Sequence, residues 1–162
     1  EKAAPHFTLI TQNVDGLHER AGSKNVVRLH GSLWRVRCTA CAAEHDDLRP
    51  KLEPLPPHCA ACGAMLRPAV VWFEEPLPMI EFGRAQSAAR EAELVLVVGT
   101  SSLVYPAASL QMAALESGAY VVEINPETTS FSEQASEHLA GPAGVVLPAL
   151  LLAAGIPMEQ HA

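Results

Sequence analysis

The chain has 162 residues, 49% hydrophobic and 18% charged, which is typical of a globular protein with one domain, or one domain and a small appendage. Its formal net charge of −7 disfavours nucleic acid as a partner, because nucleic-acid binding needs lysine and arginine side chains that face phosphates. No apolar run reaches the ~20 residues of a membrane span and no signal peptide opens the sequence, so we predict a cytoplasmic protein without membrane contact.

Short apolar runs alternate with segments of helical spacing along the chain. The predicted strands are 7–11, 26–29, 69–73, 94–98, 120–124 and 144–147. The predicted helices are 17–21, 80–93, 107–117, 131–139 and 148–154. Fully apolar strands that alternate with helices are typical of a parallel sheet covered on both faces, so we predict an α/β fold of the Rossmann type.

Residues 38–66 interrupt this alternation and contain every cysteine of the chain. The cysteines form two Cys-x-x-Cys pairs with 17 residues between the pairs, a spacing typical of a four-thiolate zinc site. Four sulfur ligands close a tetrahedral coordination sphere, so this zinc is predicted to be structural rather than catalytic. Two disulfides are the alternative, but a doubled Cys-x-x-Cys pattern is unusual for a disulfide framework. The predicted zinc ligands are Cys38, Cys41, Cys59 and Cys62.

This pattern predicts two domains. Residues 1–37 and 67–162 form a Rossmann-type nucleotide-binding domain, and residues 38–66 form an inserted zinc module that needs its metal to fold. The chain begins at Glu1 without a methionine and close to the first predicted strand, so we expect it to be a fragment of a longer protein.

Polar or glycine-containing loops follow three predicted strands: Gln12–Gly16, Gly99–Ser102 and Asn125–Thr129. The carboxyl ends of parallel strands lie along one edge of a sheet, so these loops can contact a single ligand. Gly99 permits a close backbone approach, and the hydroxyls and amides of Thr100 and Ser101 at a predicted helix start suit a phosphate. Glu127 can accept hydrogen bonds from ribose hydroxyls. The glycine loop by itself is more often a turn and helix cap, but the three loops together favour a nucleotide.

His30 lies at the end of the apolar run 26–29 and precedes a glycine. A lone histidine is more often structural than catalytic, and an Asx-type turn is the corresponding alternative for Gln12–Asp15. For residues 70–73 the alternative is a core strand. The remaining histidines are interpreted as structural: His6, His18, His45, His58, His138 and His161.

Several stretches resemble the sirtuin family, in the family's order. The first are Thr11–His18 (TQNVDGLH), Leu29–Leu33 (LHGSL) and the four cysteines. The resemblance continues in Leu66-Arg67-Pro68, Val70–Phe73, Gly99–Ser101, Tyr105-Pro106 and Asn125–Glu127. It covers the chain from about Phe7 to Leu151 and is greatest to the bacterial and mitochondrial class III branch.

The resemblance implies an NAD-dependent protein-lysine deacylase that releases nicotinamide and 2′-O-acyl-ADP-ribose, with a structural zinc ion. It implies that His30 is the general base and that Asn13 positions a water or hydroxyl. The implied NAD contacts are Gln12, Asn13, Asp15, Gly99, Thr100, Ser101, Asn125, Glu127 and Ala143. The implied contacts with an acyl-lysine protein or peptide are Val71, Trp72 and Phe73.

Two departures from the family qualify this assignment. Glu74 stands where the family usually has glycine, and a side chain there is expected to crowd the substrate or to demand a negative φ. The family's first strand and its Gly-Ala-Gly-x-Ser loop lie upstream of this chain, so we expect these residues alone neither to bind NAD tightly nor to turn over. The preferred acyl group, acetyl on the one hand or succinyl and malonyl on the other, is not predicted. The alternatives are a non-catalytic zinc-ribbon interaction module and a sirtuin-like protein ADP-ribosyltransferase.

Overall fold

The computed structural model describes residues 1, 3–4, 6–51 and 53–156, and His161 therefore lies outside the described residues. The described residues form two compact units, residues 6–82 with Glu1, and residues 83–156 with residues 3–4. No helix within the described ranges is long and apolar enough to cross a membrane. The predicted division into a nucleotide-binding domain and an inserted zinc module stays a prediction.

The first unit begins with a parallel pair of strands. Strand β1 (Leu9–Thr11) lies beside β2 (Val26–Arg28), and helix α1 (Leu17–Arg20) lies between them in sequence. Val27 and Leu29 are 1% exposed, so the β2 segment contributes to the core of this unit. Both strands and the helix are confirmed, although β1 is shorter than the predicted run.

An antiparallel sheet completes the first unit. Strand β3 (Gly31–Cys38) lies between β4 (Glu44–Asp46) and β5 (Leu66–Val70). Strands β3 and β4 were not predicted, because neither is a fully apolar run. Strand β3 largely alternates buried with more exposed residues, as a one-sided antiparallel strand does. The predicted strand 69–73 was also misplaced, since β5 ends at Val70 and a loop follows.

The second unit contains a parallel three-stranded sheet. Its strands are β6 (Leu94–Val98), β7 (Tyr120–Asn125) and β8 (Glu137–Ala140), in the order β6-β7-β8. Helix α2 (Met79–Glu91) precedes β6, α3 (Ser109–Glu116) follows it, and α4 (Ala143–Ala153) follows β8. Val121 and Ile124 of the central strand are fully buried, so β7 contributes the core of the sheet.

Two predictions near the end of the chain were wrong. The predicted helix 131–139 is a series of turns followed by β8, because residues 137–140 pair with β7 in parallel register and this pairing overrides a weak helical pattern. The predicted strand 144–147 belongs to α4, which includes Pro148. A short apolar run fits a strand and a buried helix equally well by its periodicity, so this stretch could not be assigned from sequence.

Replacing Gly31 with alanine is expected to destabilise the first unit strongly. A Cβ at this position would lie 2.0 Å from the Ala69 carbonyl oxygen, and φ is +77°, in the left-handed region. We expect a loss of at least about 3 kcal/mol of unfolding free energy, measured by urea denaturation, because β3 and β5 must separate. Gly22→Ala is the matched control, since Gly22 has a φ of +97° but nothing within 4 Å, and it should lose only about 1 kcal/mol. Equal losses would show that close backbone approach is not what Gly31 provides.

Candidate functional site

The four cysteine sulfurs lie together in the first unit. The Sγ atoms of Cys38 and Cys62 are 3.4 Å apart, those of Cys41 and Cys59 are 3.7 Å apart, and all four lie within 4.8 Å of one another. A tetrahedron with metal–sulfur distances of ~2.3 Å has edges of about 3.8 Å, so the cluster has the size that one zinc ion needs. A disulfide requires sulfurs ~2.05 Å apart, and the four thiols are free. The prediction that these residues can hold one metal ion is confirmed.

The electrostatics of the metal-free thiols also fit a cation. The backbone amides of Cys41 and Ala40 donate to the Cys38 sulfur at 3.5 and 3.4 Å, and they lower the pKa of Cys38 to about 6. The Ala64 amide lowers the pKa of Cys62, but the neighbouring Cys38 and Cys41 sulfurs raise it more, to about 12. A divalent cation removes this conflict because it stabilises all four thiolates at once.

Metal loading should be lost when one sulfur is removed. We expect the purified protein to hold one zinc ion at this site and to release it when the thiols are titrated with a mercurial, monitored with a colorimetric zinc indicator. Cys62→Ser should weaken zinc binding by more than the ~10–100-fold cost of losing a group that only supports a ligand. Ala40→Ser is the control, because it places a hydroxyl beside the same cysteines while all four thiols remain. A metal-free protein with four reactive thiols would contradict the assignment.

His30 connects two of the predicted functional segments. Its Nδ1 lies 3.1 Å from the Gln12 carbonyl oxygen, and its own carbonyl accepts a hydrogen bond from the Val71 amide at 3.0 Å. A carbonyl oxygen can only accept, so Nδ1 carries the proton in this contact. The free lone pair of the neutral ring is therefore on Nε2, which is the nitrogen able to act as a base.

The Gln12–Asp15 loop has the Asx-type geometry that was its alternative interpretation. The Asp15 carboxylate accepts the Leu17 amide at 2.9 Å, and the Asp15 carbonyl accepts Trp34 Nε1 at 2.6 Å. The Asn13 amide donates to Thr11 Oγ1 at 3.0 Å, while its side chain is exposed. The turn and the binding interpretation are compatible, because these hydrogen bonds hold the backbone of the loop and leave the side-chain carboxamide of Asn13 accessible.

The segment predicted to contact a peptide is an exposed turn after β5. The Glu75 amide donates to the Trp72 carbonyl at 3.0 Å, which closes the turn of residues 72–75. Phe73 is 93% exposed, so residues 71–73 are not the core strand of the alternative interpretation. Arg67 and Glu75, whose side chains hold this turn, were not predicted as site residues. Arg67-Pro68 was visible as a motif, but only the contacts of Arg67 show what it does.

Glu74 has a left-handed backbone conformation, which glycine adopts without strain. Its φ is +73°, so the expectation that a side chain here demands a negative φ is wrong. A left-handed conformation costs a residue with a Cβ roughly 1–2 kcal/mol, and the surrounding turn must supply that energy. The strain lies in the middle of the exposed 72–75 turn, where such costs are typical of functional sites.

Glu74→Gly is expected to raise the unfolding free energy by about 1 kcal/mol, because glycine adopts this conformation without strain. Urea denaturation of the zinc-loaded protein measures the change. Glu74→Ala removes the same carboxylate but keeps the Cβ, so it should give no comparable gain. If alanine stabilises as much as glycine, the carboxylate rather than the backbone is the source of the strain.

In the second unit, Asn125 joins the predicted cofactor loops. Its Nδ2 donates to the Thr100 carbonyl at 3.0 Å, and its carbonyl accepts the Gly141 amide at 3.2 Å. Asn125 ends β7, Thr100 follows β6, and Gly141 follows β8 shortly before Ala143 begins α4. The structure thus brings the loops of three neighbouring strands together at the carboxyl edge of this sheet.

The predicted helix start beside Thr100 and Ser101 was wrong. Helix α3 begins only at Ser109, so these two residues lie in a loop, and a phosphate there would not meet a helix N-terminus. Ser102 is the residue that secures this loop. It is buried with a φ of +58°, and its hydroxyl donates to Gln111 Oε1 on α3 at 3.3 Å.

A buried carboxylate organises the loop after β7. Glu123 is fully buried within this strand, and the hydroxyls of Thr129 and Ser132 both donate to its carboxylate. These bonds fold residues 125–132 back onto β7 and leave the Glu127 side chain exposed. Glu123 was not predicted to have a role, although a single carboxylate in an otherwise apolar strand is a visible signal, since buried carboxylates need partners.

Comparison with known proteins identifies relatives along most of the chain. The Sir2 family model matches residues 1–106. The chain is 52% identical over 138 residues to an NAD-dependent protein deacylase of Aquifex aeolicus, covering 85% of this chain and 58% of that protein. It is 51% identical over 150 residues to NAD-dependent protein deacylase 1 of Pseudomonas aeruginosa, covering 88% of this chain and 60% of that protein. The chain thus spans less than two thirds of the length of these relatives.

Solved structures agree with this relationship. A crystal structure of a Sir2 homolog–NAD complex matches with a TM-score of 0.87 and 46% sequence identity, over 91% of this chain and 57% of that chain. A Sir2 protein bound to acetylated peptide matches with a TM-score of 0.85 and 34% identity, over 93% of this chain and 65% of that chain. These matches confirm the predicted Rossmann-type α/β fold. By family model, sequence identity and fold, the chain belongs to the Sir2 family.

Proposed function

We propose that this chain carries the reactive residues of an NAD-dependent protein deacylase, which transfers the acyl group of an acyl-lysine to ADP-ribose and releases nicotinamide. The observation that carries the proposal is the position of His30. Its ring is held in one tautomer by the Gln12 carbonyl, and its backbone carbonyl accepts a hydrogen bond from the Val71 amide. The relatives named as NAD-dependent protein deacylases, and the Sir2 structures with NAD and with acetylated peptide, support this function.

When bound, NAD would supply an electrophilic ribose C1′ for the acyl-lysine amide oxygen, with nicotinamide as the leaving group. Nε2 of His30 would accept a proton from the ribose hydroxyls, which would allow the 2′-oxygen to take up the acyl group. Asn13 positions a water or hydroxyl, and Gln12 and Asp15 line the ribose and nicotinamide side. The exposed Asn13 side chain is accessible for the first task, and the Asp15 backbone is fixed for the second by the hydrogen bond from Trp34 Nε1 to its carbonyl.

The second unit would hold the adenosine half of NAD. We propose that Gly99, Thr100 and Ser101 contact the phosphates, and that Asn125 and Glu127 hold the adenine ribose. The backbone near Ala143 would contact adenine. The hydrogen bonds of Asn125 with Thr100 and Gly141 support this assignment, because they fix the loops at the edge of the sheet where the ligand would lie.

We further propose that these residues need a strand beyond this chain to bind NAD. Within the described residues β6 pairs only with β7, and its apolar side chains Leu94 and Leu96 are 58% and 43% exposed. An apolar strand with an unpaired edge is the place where another strand adds. We also propose a cytoplasmic location, because four cysteines that form a metal site rather than disulfides favour a reducing compartment.

The test is an assay of the longer protein that contains this chain, with NAD and acetyl-, succinyl- or malonyl-lysine peptides. We expect nicotinamide release and O-acyl-ADP-ribose by mass spectrometry, and a loss of about 10²–10⁴-fold in rate for His30→Ala with fold and zinc retained. His45→Ala, in the exposed strand β4, is the control and should keep full activity. The 162 residues alone should be inactive.

Other outcomes would assign another function. ADP-ribose attached to protein without deacylation would favour an ADP-ribosyltransferase. No NAD-dependent turnover, with partner binding that survives His30→Ala, would favour a non-catalytic zinc-ribbon module. Calorimetry that finds micromolar NAD binding to the 162 residues alone would contradict the need for a further strand.

A further inference from the structure

We propose that Arg67 is a positioning residue for the peptide substrate: it holds the 72–75 turn and the Trp72 ring in the arrangement that receives the peptide. The inference rests on the proposed function, in which Val71, Trp72 and Phe73 contact an acyl-lysine peptide. Arg67 itself is removed from that contact, since its side chain is only 13% exposed. Its effect on the peptide is therefore exerted through the turn.

Three parts of the Arg67 guanidinium make three different contacts. Nη2 donates to Glu75 Oε1 at 2.6 Å, and Nη1 donates to the Val70 carbonyl at 3.0 Å. The centre of the planar cation lies 4.3 Å from the centroid of the Trp72 ring. An arginine can make all three contacts because its donors form a rigid fork and its plane stacks on aromatic rings. A lysine ammonium is a point charge and can replace only part of this set.

Glu75 links the Arg67 side chain to the backbone of the turn. Its Oε2 accepts the Trp72 amide at 3.1 Å, so the carboxylate bonded to Arg67 also fixes the start of the turn. The hydrogen bonds from Arg67 and the Trp72 amide lower the pKa of Glu75, because both stabilise the carboxylate form. Arg37 of β3 approaches the same carboxylate at 3.7 Å. Arg37 and Arg67 lie opposite each other in the β3–β5 ladder, and the shared carboxylate offsets the repulsion of two like charges there.

The turn depends on the contacts of Arg67 and Glu75 because its own side chains are little packed. Phe73 is 93% exposed, Trp72 is also exposed, and Glu74 has the left-handed backbone. Val71, in contrast, is anchored separately by the hydrogen bond that its backbone amide donates to the His30 carbonyl. Loss of Arg67 should therefore release Trp72 and Phe73 while Val71 and His30 stay in place. The expected consequence is weaker peptide binding with unchanged chemistry at His30.

The experiment compares Arg67→Met, Arg67→Lys and Glu75→Gln in the longer protein that contains this chain, loaded with zinc. We expect Arg67→Met to raise KM for the acyl-lysine peptide on the order of tenfold or more, with kcat and the KM for NAD within about twofold of wild type. Arg67→Lys and Glu75→Gln should give smaller increases of the same kind. Arg35→Met is the matched control, because Arg35 lies on the neighbouring strand β3 but pairs with Asp46 at 3.1 Å, and its variant should leave KM unchanged.

A second readout follows the turn without any activity. Protein labelled with 5-fluorotryptophan gives a fluorine resonance for Trp72, assigned by Trp72→Phe, and one for Trp34 as an internal reference. We expect the Trp72 resonance to shift in the Arg67 and Glu75 variants but not in Arg35→Met, while that of Trp34 stays in place. If Arg67→Met does not fold, as judged by zinc content and circular dichroism, the Arg67→Lys and Glu75→Gln variants carry the same test.

The outcomes separate this inference from the proposed function. A wild-type protein without NAD-dependent deacylation overturns the proposed function. An active wild type whose folded Arg67 and Glu75 variants keep the wild-type peptide KM overturns the positioning role of Arg67. A fall in kcat at unchanged KM, or an equal effect of Arg35→Met, overturns it as well.

Discussion

The antiparallel register of β3 and β5 is the constraint on which the first unit depends. It pairs Cys38 with Leu66 at one end and Gly31 with Val70 at the other. The second end can close only because position 31 has no Cβ to meet the Ala69 carbonyl. The metal site and the residue after His30 therefore lie on one strand with a single register. A zinc ion held at Cys38 would stabilise the surroundings of the proposed base although it is not a reactant.

The second unit depends on polar groups of one apolar strand, β7. Glu123 is buried in this strand and accepts two hydroxyls from the loop that follows it. Asn125 ends the strand and bonds to the loops on either side. A buried polar group is stable only when it is paired, so Glu123 specifies the position of the loop after β7. The side chain of Asn125 fixes the loop after β6, and its backbone carbonyl fixes the loop after β8. The loops of the proposed nucleotide-binding edge are therefore held in place by the hydrogen bonds of these two residues.

Backbone strain and exposed apolar groups occur in the segments proposed to bind ligands. Glu74 and Ser102 have positive φ although neither is glycine, and Phe73 is almost fully exposed. A fold tolerates such features where surrounding contacts over-determine the local conformation. The Arg67–Glu75 pair does this for the 72–75 turn, and the bond from Ser102 to Gln111 does it for the loop after β6.

The sequence by itself determined the fold class, the cysteine quartet and the family, because apolar strand runs, Cys-x-x-Cys spacing and the motifs around His30 are local patterns. It did not reveal β3, β8 or the start of α4, since a half-exposed strand, a short polar strand and an ambiguous apolar run acquire their structure from their neighbours. The free nitrogen of His30, the left-handed Glu74 and the hold of Arg67 on Trp72 were likewise decided by tertiary structure. Each depends on how the folded backbone places two groups relative to each other, or on a backbone angle that the surrounding contacts impose, and no spacing of residue types encodes either one.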